Sequence, residues 1–332
     1  MTRARNTADT QTASGGPVPP GAAGKNAVIN GGMDIWQRGT SSSTATSGAY
    51  STVDRFLINL SGTTTASQDT DVPTGVPVQY SLKFLTGASS SYGGWYHALE
   101  SAMVRPLRGQ TVTVSFYVKT AGSFSGNLNL YIDYSNSTDA LASQTTNVTT
   151  LVFAGSSVTS WTRKSVTFTV PSDALGLRLY FFNSAVQASG VSSWTTGVQL
   201  EVGSTATTFS RAGGTIAGEL AACQRYFLRL GKTVAYQKYG NGYQQTTTSS
   251  AFAIPFNTMR ATPTVTLSTG TTFYIEYGNN SQVAGISASA GDISPTSFKF
   301  TITSGAFGTA GYGCLLNDGS AATSSIDISA EL

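Results

Sequence analysis

Alternation of apolar and polar residues is the feature of this sequence that most limits its fold. Residues 78–84, 111–119 and 128–134 each place an apolar side chain at every second position. A period of two sends alternate side chains to opposite faces of an extended strand, so each strand needs a second layer to cover its apolar face. Further strands are predicted at residues 28–30, 56–60, 161–170, 177–182 and 197–202. Joined by Gly, Ser and Asn turns, these eight segments predict an antiparallel jelly-roll β-sandwich.

Composition favours an all-β chain and argues against nucleic-acid binding. Charged residues make up only 11% of the 332 residues, and Gly occurs 36 times. Ser and Thr together supply about a quarter of the chain, well above average usage. The net charge is +3, and no run of basic residues is interleaved with aromatics. Because phosphate neutralisation needs concentrated positive charge, no nucleic-acid partner is expected.

Cysteine content and hydropathy predict the redox state and the relation to membranes. The two cysteines, Cys223 and Cys314, are too few for a disulfide framework, so we expect buried free thiols. No apolar run reaches 18 residues, and the first residues lack the apolar core of a signal peptide. We therefore expect a soluble chain that does not insert into a membrane.

Changes in local composition predict four segments. Residues 1–26 have no apolar periodicity and are predicted to form an extended N-terminal attachment arm, with a plain flexible tail as the alternative. Residues 27–212 are predicted to form the jelly roll, residues 213–232 a linking helix, and residues 233–332 a distal, smaller β-sandwich. The distal strands are predicted at residues 249–254, 264–267, 272–277, 298–303, 313–316 and 326–332.

The linking helix is predicted from apolar residues spaced three or four apart. Thr215 is a suitable N-cap, and Gly231 is a suitable end. Such a helix could pack against its copies around an axis, or it could cover an edge of its own domain. The apolar stripe consists of Ile216, Leu220, Cys223, Phe227 and Leu230.

Residues that could support catalysis are few. The single histidine, His97, is not accompanied by a Gly-x-Ser-x-Gly motif, so we expect an ordinary loop or surface histidine. One histidine and two distant cysteines cannot form a tetrahedral zinc site. Glycoside hydrolysis needs only two carboxylates, which makes it harder to exclude. The carboxylates considered are Asp54, Glu100, Asp133, Glu201 and Glu276. No catalytic residue is assigned, and the chain is predicted not to be an enzyme.

Four sequence phrases carry a resemblance to a known family. They are NGGMDIWQRGT at residues 30–40, STVDRF at 51–56, GVQLEVGSTATTF at 197–209 and ELAACQRYF at 219–227. With the β-rich stretch between them, they resemble bacteriophage virion fibre proteins, tail or head fibres whose middle domain is a carbohydrate-binding-module-like jelly roll. The resemblance covers about residues 27–332.

The resemblance implies two structural features. The charged residues of the first two phrases are expected to form a scaffold network, because a buried carboxylate needs a charged or hydrogen-bonded partner. This network would consist of Asp34, Arg38, Asp54 and Arg55. Jelly rolls of this kind often hold a structural calcium ion, but no acidic loop of the sequence assigns its ligands. No other cofactor is expected.

Aromatic residues in Gly- and Ser-rich segments are the predicted glycan-binding candidates. Sugars offer apolar C–H faces that stack on aromatic rings and hydroxyls that need polar partners. For each cluster, ordinary packing or a subunit contact is the alternative. The candidates are Tyr92, Trp95, Tyr96, Trp194, Tyr236, Tyr239 and Tyr243.

The resemblance implies a virion location and a set of partners. It predicts a structural fibre protein, assembled in the host bacterial cytoplasm, that forms a homotrimer. The N-terminal arm would attach to other phage virion proteins, and the fibre would bind host-surface polysaccharide without cleaving it. Weak sites gain avidity from the number of copies. The alternative is a purely structural capsid decoration or tail-tip scaffold without receptor specificity.

Overall fold

The chain is nearly all β, as the sequence predicts. The computed structural model describes residues 24–42, 48–88, 93–140, 146–231, 234–268, 273–277, 281–306, 308–318 and 324–332. Tyr92 and most of the predicted N-terminal arm therefore lie outside the described residues. Two compact units are present, one up to Cys223 with Leu332, and one from Gln224 to Glu331.

Helices are few and short in the described residues. They are α1 (Ser101–Val104) and α2 (Ile216–Gln224), with single 3-10 turns at Arg105–Leu107 and Gly155–Ser157. Neither α-helix is long and apolar enough to cross a bilayer.

The first unit is a sandwich of two antiparallel sheets. Its strands, in chain order, are β1 (Ser41–Ser42), β2 (Phe56–Leu60), β3 (Thr64–Asp69), β4 (Ser81–Thr86), β5 (Gly93–Leu99), β6 (Thr111–Ala121), β7 (Asn127–Ser135), β8 (Thr146–Ala154), β9 (Thr162–Thr169), β10 (Gly176–Asn183) and β11 (Ser192–Val202). Within the described residues, a six-stranded sheet has the order β1-β3-β4-β11-β6-β9, and a five-stranded sheet has the order β2-β5-β10-β7-β8.

The core of this unit lies between the two sheets. Trp95 of β5 stacks on Phe181 of β10 at 5.5 Å between ring centroids, and Phe56 of β2 meets Trp95 edge-on at 5.1 Å. Phe116, from the opposite sheet, meets Phe181 at 5.6 Å. All four side chains are almost completely buried, and burying one such side chain stabilises the fold by about 1.5–3 kcal/mol.

Four strands of the sandwich, the two-residue β1 and strands β3, β5 and β8, are not predicted by the sequence, and one predicted strand is absent. Strands β3, β5 and β8 occupy segments that lack a clear polar–apolar alternation. Residues 28–30 were expected to be extended, but they lie in a turn. Asn30 has a φ of 59°, and its side chain bonds to the backbone of Asp34 and Ile35, which replaces sheet pairing.

The second unit contains a closed barrel and a small separate sheet. Its strands are β12 (Phe227–Gly231), β13 (Lys238–Thr246), β14 (Ser249–Pro255), β15 (Thr264–Leu267), β16 (Phe273–Tyr277), β17 (Ser281–Gly291), β18 (Ser297–Ser304), β19 (Gly313–Asp318) and β20 (Ser325–Ser329). The barrel order is β13-β14-β18-β17-β16-β19, and the sheet order is β12-β20-β15. The sequence predicts a smaller sandwich here, but closure depends on long-range pairing of β13 with β19, which strand patterns do not reveal.

The predicted linking helix at residues 213–232 is only partly helical. Thr215 accepts a hydrogen bond from the backbone N–H of Gly218 at 3.0 Å, as an N-cap does, and α2 ends at Gln224. Phe227 and Leu230 belong instead to β12, which pairs with β20. Extending the helix through these residues was wrong, because pairing with a strand about a hundred residues later outweighs the local apolar spacing.

Candidate functional site

The outer face of the five-stranded sheet carries a cluster of aromatic side chains. Strand β10 buries Leu177, Leu179 and Phe181, so the intervening Tyr180 and Phe182 point away from the core. In the sheet register Tyr180 lies opposite Tyr96 of β5 on one side and Tyr131 of β7 on the other. We call Tyr96, Tyr131, Tyr180 and Phe182 the aromatic face.

The rings of the aromatic face hold one another in place. Tyr96 and Tyr180 stack at 4.0 Å between centroids with a 12° interplanar angle, and Tyr180 and Phe182 stack at 4.5 Å. Tyr131 meets Tyr180 and Phe182 edge-on at 6.1 and 5.0 Å and is 36% exposed. Burial raises the pKa of Tyr180 to about 12, so its hydroxyl stays protonated and able to donate. The face is therefore a preorganised apolar surface bearing hydroxyl groups.

Polar side chains border the aromatic face on one side. In the next row of the sheet, Arg178 of β10 lies opposite Asp133 of β7, and Asp133 lies opposite Asn147 of β8. Arg178 donates from Nη2 and Nε to Asp133 Oδ2 at 2.7 and 3.2 Å, while Asn147 Nδ2 donates to Oδ1 at 3.1 Å. The Arg178 guanidinium also lies 5.2 Å from the Tyr96 ring centroid. Fixed hydrogen-bonding groups thus stand beside the aromatic rings.

Close packing on the other side requires a glycine. Gly94 of β5 lies opposite Phe182, and a Cβ atom at Gly94 would stand 2.5 Å from the carbonyl oxygen of Phe181 and 2.9 Å from Cβ of Phe182. Beside it, Asn59 Nδ2 donates to the Tyr96 hydroxyl at 3.4 Å. The absence of a side chain at Gly94 therefore lets β5 approach Phe182 closely.

Two tryptophans predicted in binding loops lie in strands and cannot offer a ring to a ligand. Trp95 lies in β5 with no exposed surface and packs in the core, so its assignment to a flexible turn was wrong. Trp194 lies in β11 and is 7% exposed. The ammonium groups of Lys83 and Lys119, on the two neighbouring strands, each lie 5.1 Å from the Trp194 ring centroid. Of the same predicted group, Tyr96 is part of the aromatic face.

The three tyrosines predicted in the second unit have different surroundings. Tyr236 and Tyr243 are 50% and 51% exposed. Tyr239 is half-buried, and its hydroxyl lies 2.9 Å from Ser324 Oγ; burial raises its pKa to about 12. Its ring also meets Phe273 at 5.7 Å. Tyr239 therefore packs in the fold, whereas Tyr236 and Tyr243 present their rings to solvent.

Asp34, Arg38 and Asp54 of the predicted scaffold network form ion pairs, and Arg211, which was not predicted, is one of the partners. Arg38 Nη1 lies 3.3 Å from Asp54 Oδ1, whereas Asp34 Oδ2 pairs with Arg211 Nη2 at 2.8 Å. Arg55 is fully buried and donates from Nη2 to the Ala98 carbonyl at 2.9 Å. Burial is the largest influence on Asp34 and raises the pKa of its carboxyl group. These contacts tie together the phrases at residues 30–40 and 51–56.

His97 is a core residue and not the predicted loop or surface histidine. It lies in β5 with no exposed surface, and Nε2 is 3.0 Å from the Ile29 carbonyl oxygen. Burial first, and the charge of Arg55 second, lower its pKa to about 3. The imidazole is therefore neutral near pH 7 and does not meet solvent or a ligand.

The carboxylates considered for hydrolysis are engaged in ion pairs or hydrogen bonds within the fold. Asp133 pairs with Arg178, and Asn317 Nδ2 donates to Glu276 Oε2 at 3.1 Å. Glu201 accepts hydrogen bonds from the backbone N–H and hydroxyl of Thr207 at 2.8 and 2.6 Å. No group of three or more His, Cys, Asp or Glu side chains placed to hold a metal ion occurs among the described residues. Calcium binding therefore stays a prediction without assigned ligands.

Sequence reasoning missed most of the aromatic face, although a usable signal was present. Residues 177–182 alternate, but aromatic residues occupy the outward positions as well as the core. A strand with aromatic rings on both faces presents apolar surface to solvent, and such surface often marks a binding site. Applied to residues 128–134 and 177–182, this rule selects Tyr131, Tyr180 and Phe182.

The chain is similar to several solved structures, of which three are described. Tailspike protein 4 of bacteriophage CBA120 (enzymatically active domain) is similar over 54% of this chain and 21% of its own, at 14% identity and a TM-score of 0.37. A CBM4 structure is similar over 53% of this chain and 99% of its own, at 16% identity and a TM-score of 0.33. The CBM22-1 xylan-binding domain from Paenibacillus barcinonensis Xyn10C is similar over 52% and 97%, at 12% identity and a TM-score of 0.31.

This chain thus spans only 21% of the tailspike domain's length. The comparison with curated proteins found no match.

The family model that matches is a carbohydrate binding domain, CBM_4_9, over residues 106–190. That segment contains β7 and β10, which carry Tyr131, Asp133, Arg178, Tyr180 and Phe182. The part of the chain that holds most of the aromatic face is therefore similar to a carbohydrate binding domain.

Proposed function

We propose that the aromatic face of the first unit binds a saccharide and does not cleave it. The observation that carries this proposal is the row of Tyr96, Tyr180 and Tyr131 across three adjacent strands, with Arg178 and Asp133 beside it. Apolar C–H faces of sugar rings suit the aromatic surface, and sugar hydroxyls suit the bordering guanidinium, carboxylate and amide groups. The match of residues 106–190 to a carbohydrate binding domain supports it.

Preorganisation supports binding by this face. Each ring is held by another ring, and Arg178 is held in two hydrogen bonds to Asp133. A ligand would therefore not have to immobilise these side chains, which lowers the entropic cost of binding.

Binding without hydrolysis follows from the groups on the face. Glycoside hydrolysis in its usual form uses two carboxyl groups on opposite sides of the scissile bond. Asp133 is the one carboxylate at the outward positions of the five described strands, and it is engaged by Arg178 and Asn147. This face therefore offers a hydrogen-bond acceptor and no acid–base pair.

The wider role we propose is that of a phage virion fibre protein. The sequence phrases at residues 30–40 and 197–209 support it by their resemblance to such fibres. In this proposal the N-terminal arm attaches to other virion proteins, the chain forms a homotrimer, and host-surface polysaccharide is the ligand. Three copies of a shallow site would raise the avidity of a modest affinity.

A binding assay with single-site variants tests the proposal. The purified chain is applied to an array of bacterial surface polysaccharides, and the Kd of the best ligand is measured for Tyr131→Ala and Arg178→Gln. We expect Tyr131→Ala to weaken binding about tenfold, equal to about 1.4 kcal/mol. The matched control is Tyr312→Ala, which removes a ring that is 64% exposed in the second unit. Equal affinity in Tyr131→Ala, Arg178→Gln and the unmodified chain would refute the assignment of the face.

The alternative, a scaffold without receptor specificity, makes a different prediction. An exposed aromatic surface also suits a contact between subunits. In that case Tyr131→Ala would lower the oligomer mass measured by light scattering, and no polysaccharide on the array would bind. Saccharide binding with an unchanged oligomer mass would favour the glycan-binding function.

A further inference from the structure

The barrel of the second unit has a groove on its surface. None of the residues that line this groove belongs to the aromatic face. The groove has a volume of about 460 Å³ and lies against β13, β14 and β18. Its lining includes Ala251 and Ala253 of β14, which have small side chains. Ala251 and Ala253 pair with Tyr243 and Lys299, and their small side chains on this outer face leave room for the groove.

The groove is lined by one exposed aromatic ring and several polar side chains. Tyr243 lines it and is 51% exposed, and Asn241, Asp292 and Lys299 line it as well. Their side chains make no hydrogen bond or ion pair with any other residue that the structure describes. In contrast, Tyr239 on the same strand is bonded to Ser324. The hydrogen-bonding capacity of the groove is thus available to a ligand.

We propose that this groove binds one or two rings of a neutral saccharide, independently of the aromatic face. Its volume falls in the range of small-ligand sites, about 300–1,000 Å³. Tyr243 would stack on the apolar face of a sugar ring, Asp292 would accept hydrogen bonds from sugar hydroxyls, and Lys299 and Asn241 would donate to ring or hydroxyl oxygens. The charges of Lys299 and Asp292 cancel, so the lining of the groove has no net charge. This favours a neutral sugar over an anionic one.

An NMR titration of the full chain tests the proposal. The 15N-labelled protein is titrated separately with glucose, galactose, mannose and N-acetylglucosamine at millimolar concentrations. We expect at least one of them to shift the amide signals of Tyr243, Ala253 and Lys299 in a saturable way. Tyr243→Ala should weaken that binding at least about fivefold, the usual effect of losing a stacked ring. Tyr312→Ala is the control, because its ring is exposed in the same unit and does not line the groove.

The outcomes separate this proposal from that for the first unit. Shifts at Tyr243 and Lys299 that persist in Tyr131→Ala would support an independent groove, whether or not the aromatic face binds a sugar. Shifts confined to Tyr96, Tyr131 and Tyr180, or no shift with any of the four sugars, would overturn the groove and leave the first proposal unaffected. An affinity for the groove that is unchanged in Tyr243→Ala would also overturn it.

Discussion

Protonation of His97 should destabilise the first unit as the pH falls below neutrality. His97 is the single histidine of the chain and is fully buried. The Phe56 ring lies 4.8 Å from its own, and the guanidinium charge of Arg55 acts on it. Burial and that charge lower the pKa of the folded imidazole from 6.5 to about 3. A charged imidazole would have to leave water for an apolar site beside a cation.

The sign and the size of the effect follow from proton linkage. Between pH 3 and 6.5 the unfolded chain binds a proton at His97 that the folded chain does not, so the free energy of unfolding rises with pH across this window. The contribution of His97 is complete above pH 6.5 and is lost as the pH falls. Each pH unit below 6.5 is worth about 1.4 kcal/mol, so about 2 kcal/mol should be lost at pH 5.

A comparison with a variant isolates this contribution from those of other groups. Burial raises the pKa values of Asp34 and Glu219, and such groups make stability rise as the pH falls, which opposes His97. Both proteins contain Asp34 and Glu219. Subtracting the free energy of unfolding of His97→Gln from that of the unmodified chain at each pH therefore cancels the contributions of these carboxyl groups. Urea unfolding at several pH values is followed by tryptophan fluorescence, because all four tryptophans precede residue 224 and report on the first unit.

The direct readout is the NMR signal of the imidazole, which is unique in this chain. With 15N-labelled histidine, the folded protein should show a neutral ring at pH 5, and the unfolded protein a charged one. A folded-state titration near pH 6.5, or the same pH slope of unfolding in His97→Gln and the unmodified chain, would refute the reasoning.

Two further predictions concern packing and the thiols. Gly31→Ala should lower the free energy of unfolding of the first unit by at least about 2 kcal/mol, because its Cβ would stand 2.0 Å from the Val198 carbonyl oxygen. Calorimetry measures this, with Gly291→Ala as the control because its Cβ would meet nothing within 4 Å; equal melting temperatures would contradict the prediction. Cys223 and Cys314 are buried free thiols, as the sequence predicts, so Ellman's reagent should react with neither in buffer and with both in urea. Rapid reaction of the folded chain would contradict that burial.

Strands with strict alternation were predictable from the sequence, and those shaped by distant partners were not. The bounds of β2 and β15 agree with the sequence prediction, and in β15 the apolar residues Val265 and Leu267 mark one face. Strand β5 was missed because it begins with two glycines and has few polar residues at its outward positions. As a result Trp95, which fills the core, was assigned to a flexible loop. Strand β12 was missed because its apolar residues continue the spacing of α2.

The aromatic face was predictable only in part. Tyr96 was selected from a Gly- and Ser-rich segment, although the structure places it in a strand. Tyr180 and Tyr131 could be recognised as outward residues, but nothing local shows that they lie opposite each other. That arrangement depends on the register between β5, β7 and β10, whose segments are far apart in the chain.

The tyrosine ring signals during a saccharide titration test the central claim most directly. The chain is labelled with 13C in its tyrosine rings and titrated with the polysaccharide fragment that binds best on the array. If the outer face of the five-stranded sheet is the binding surface, the signals of Tyr96, Tyr131 and Tyr180 move together with one Kd. Tyr117, which lies on the six-stranded sheet, should stay unchanged. Saturable binding of the fragment that leaves all three signals in place would contradict the account.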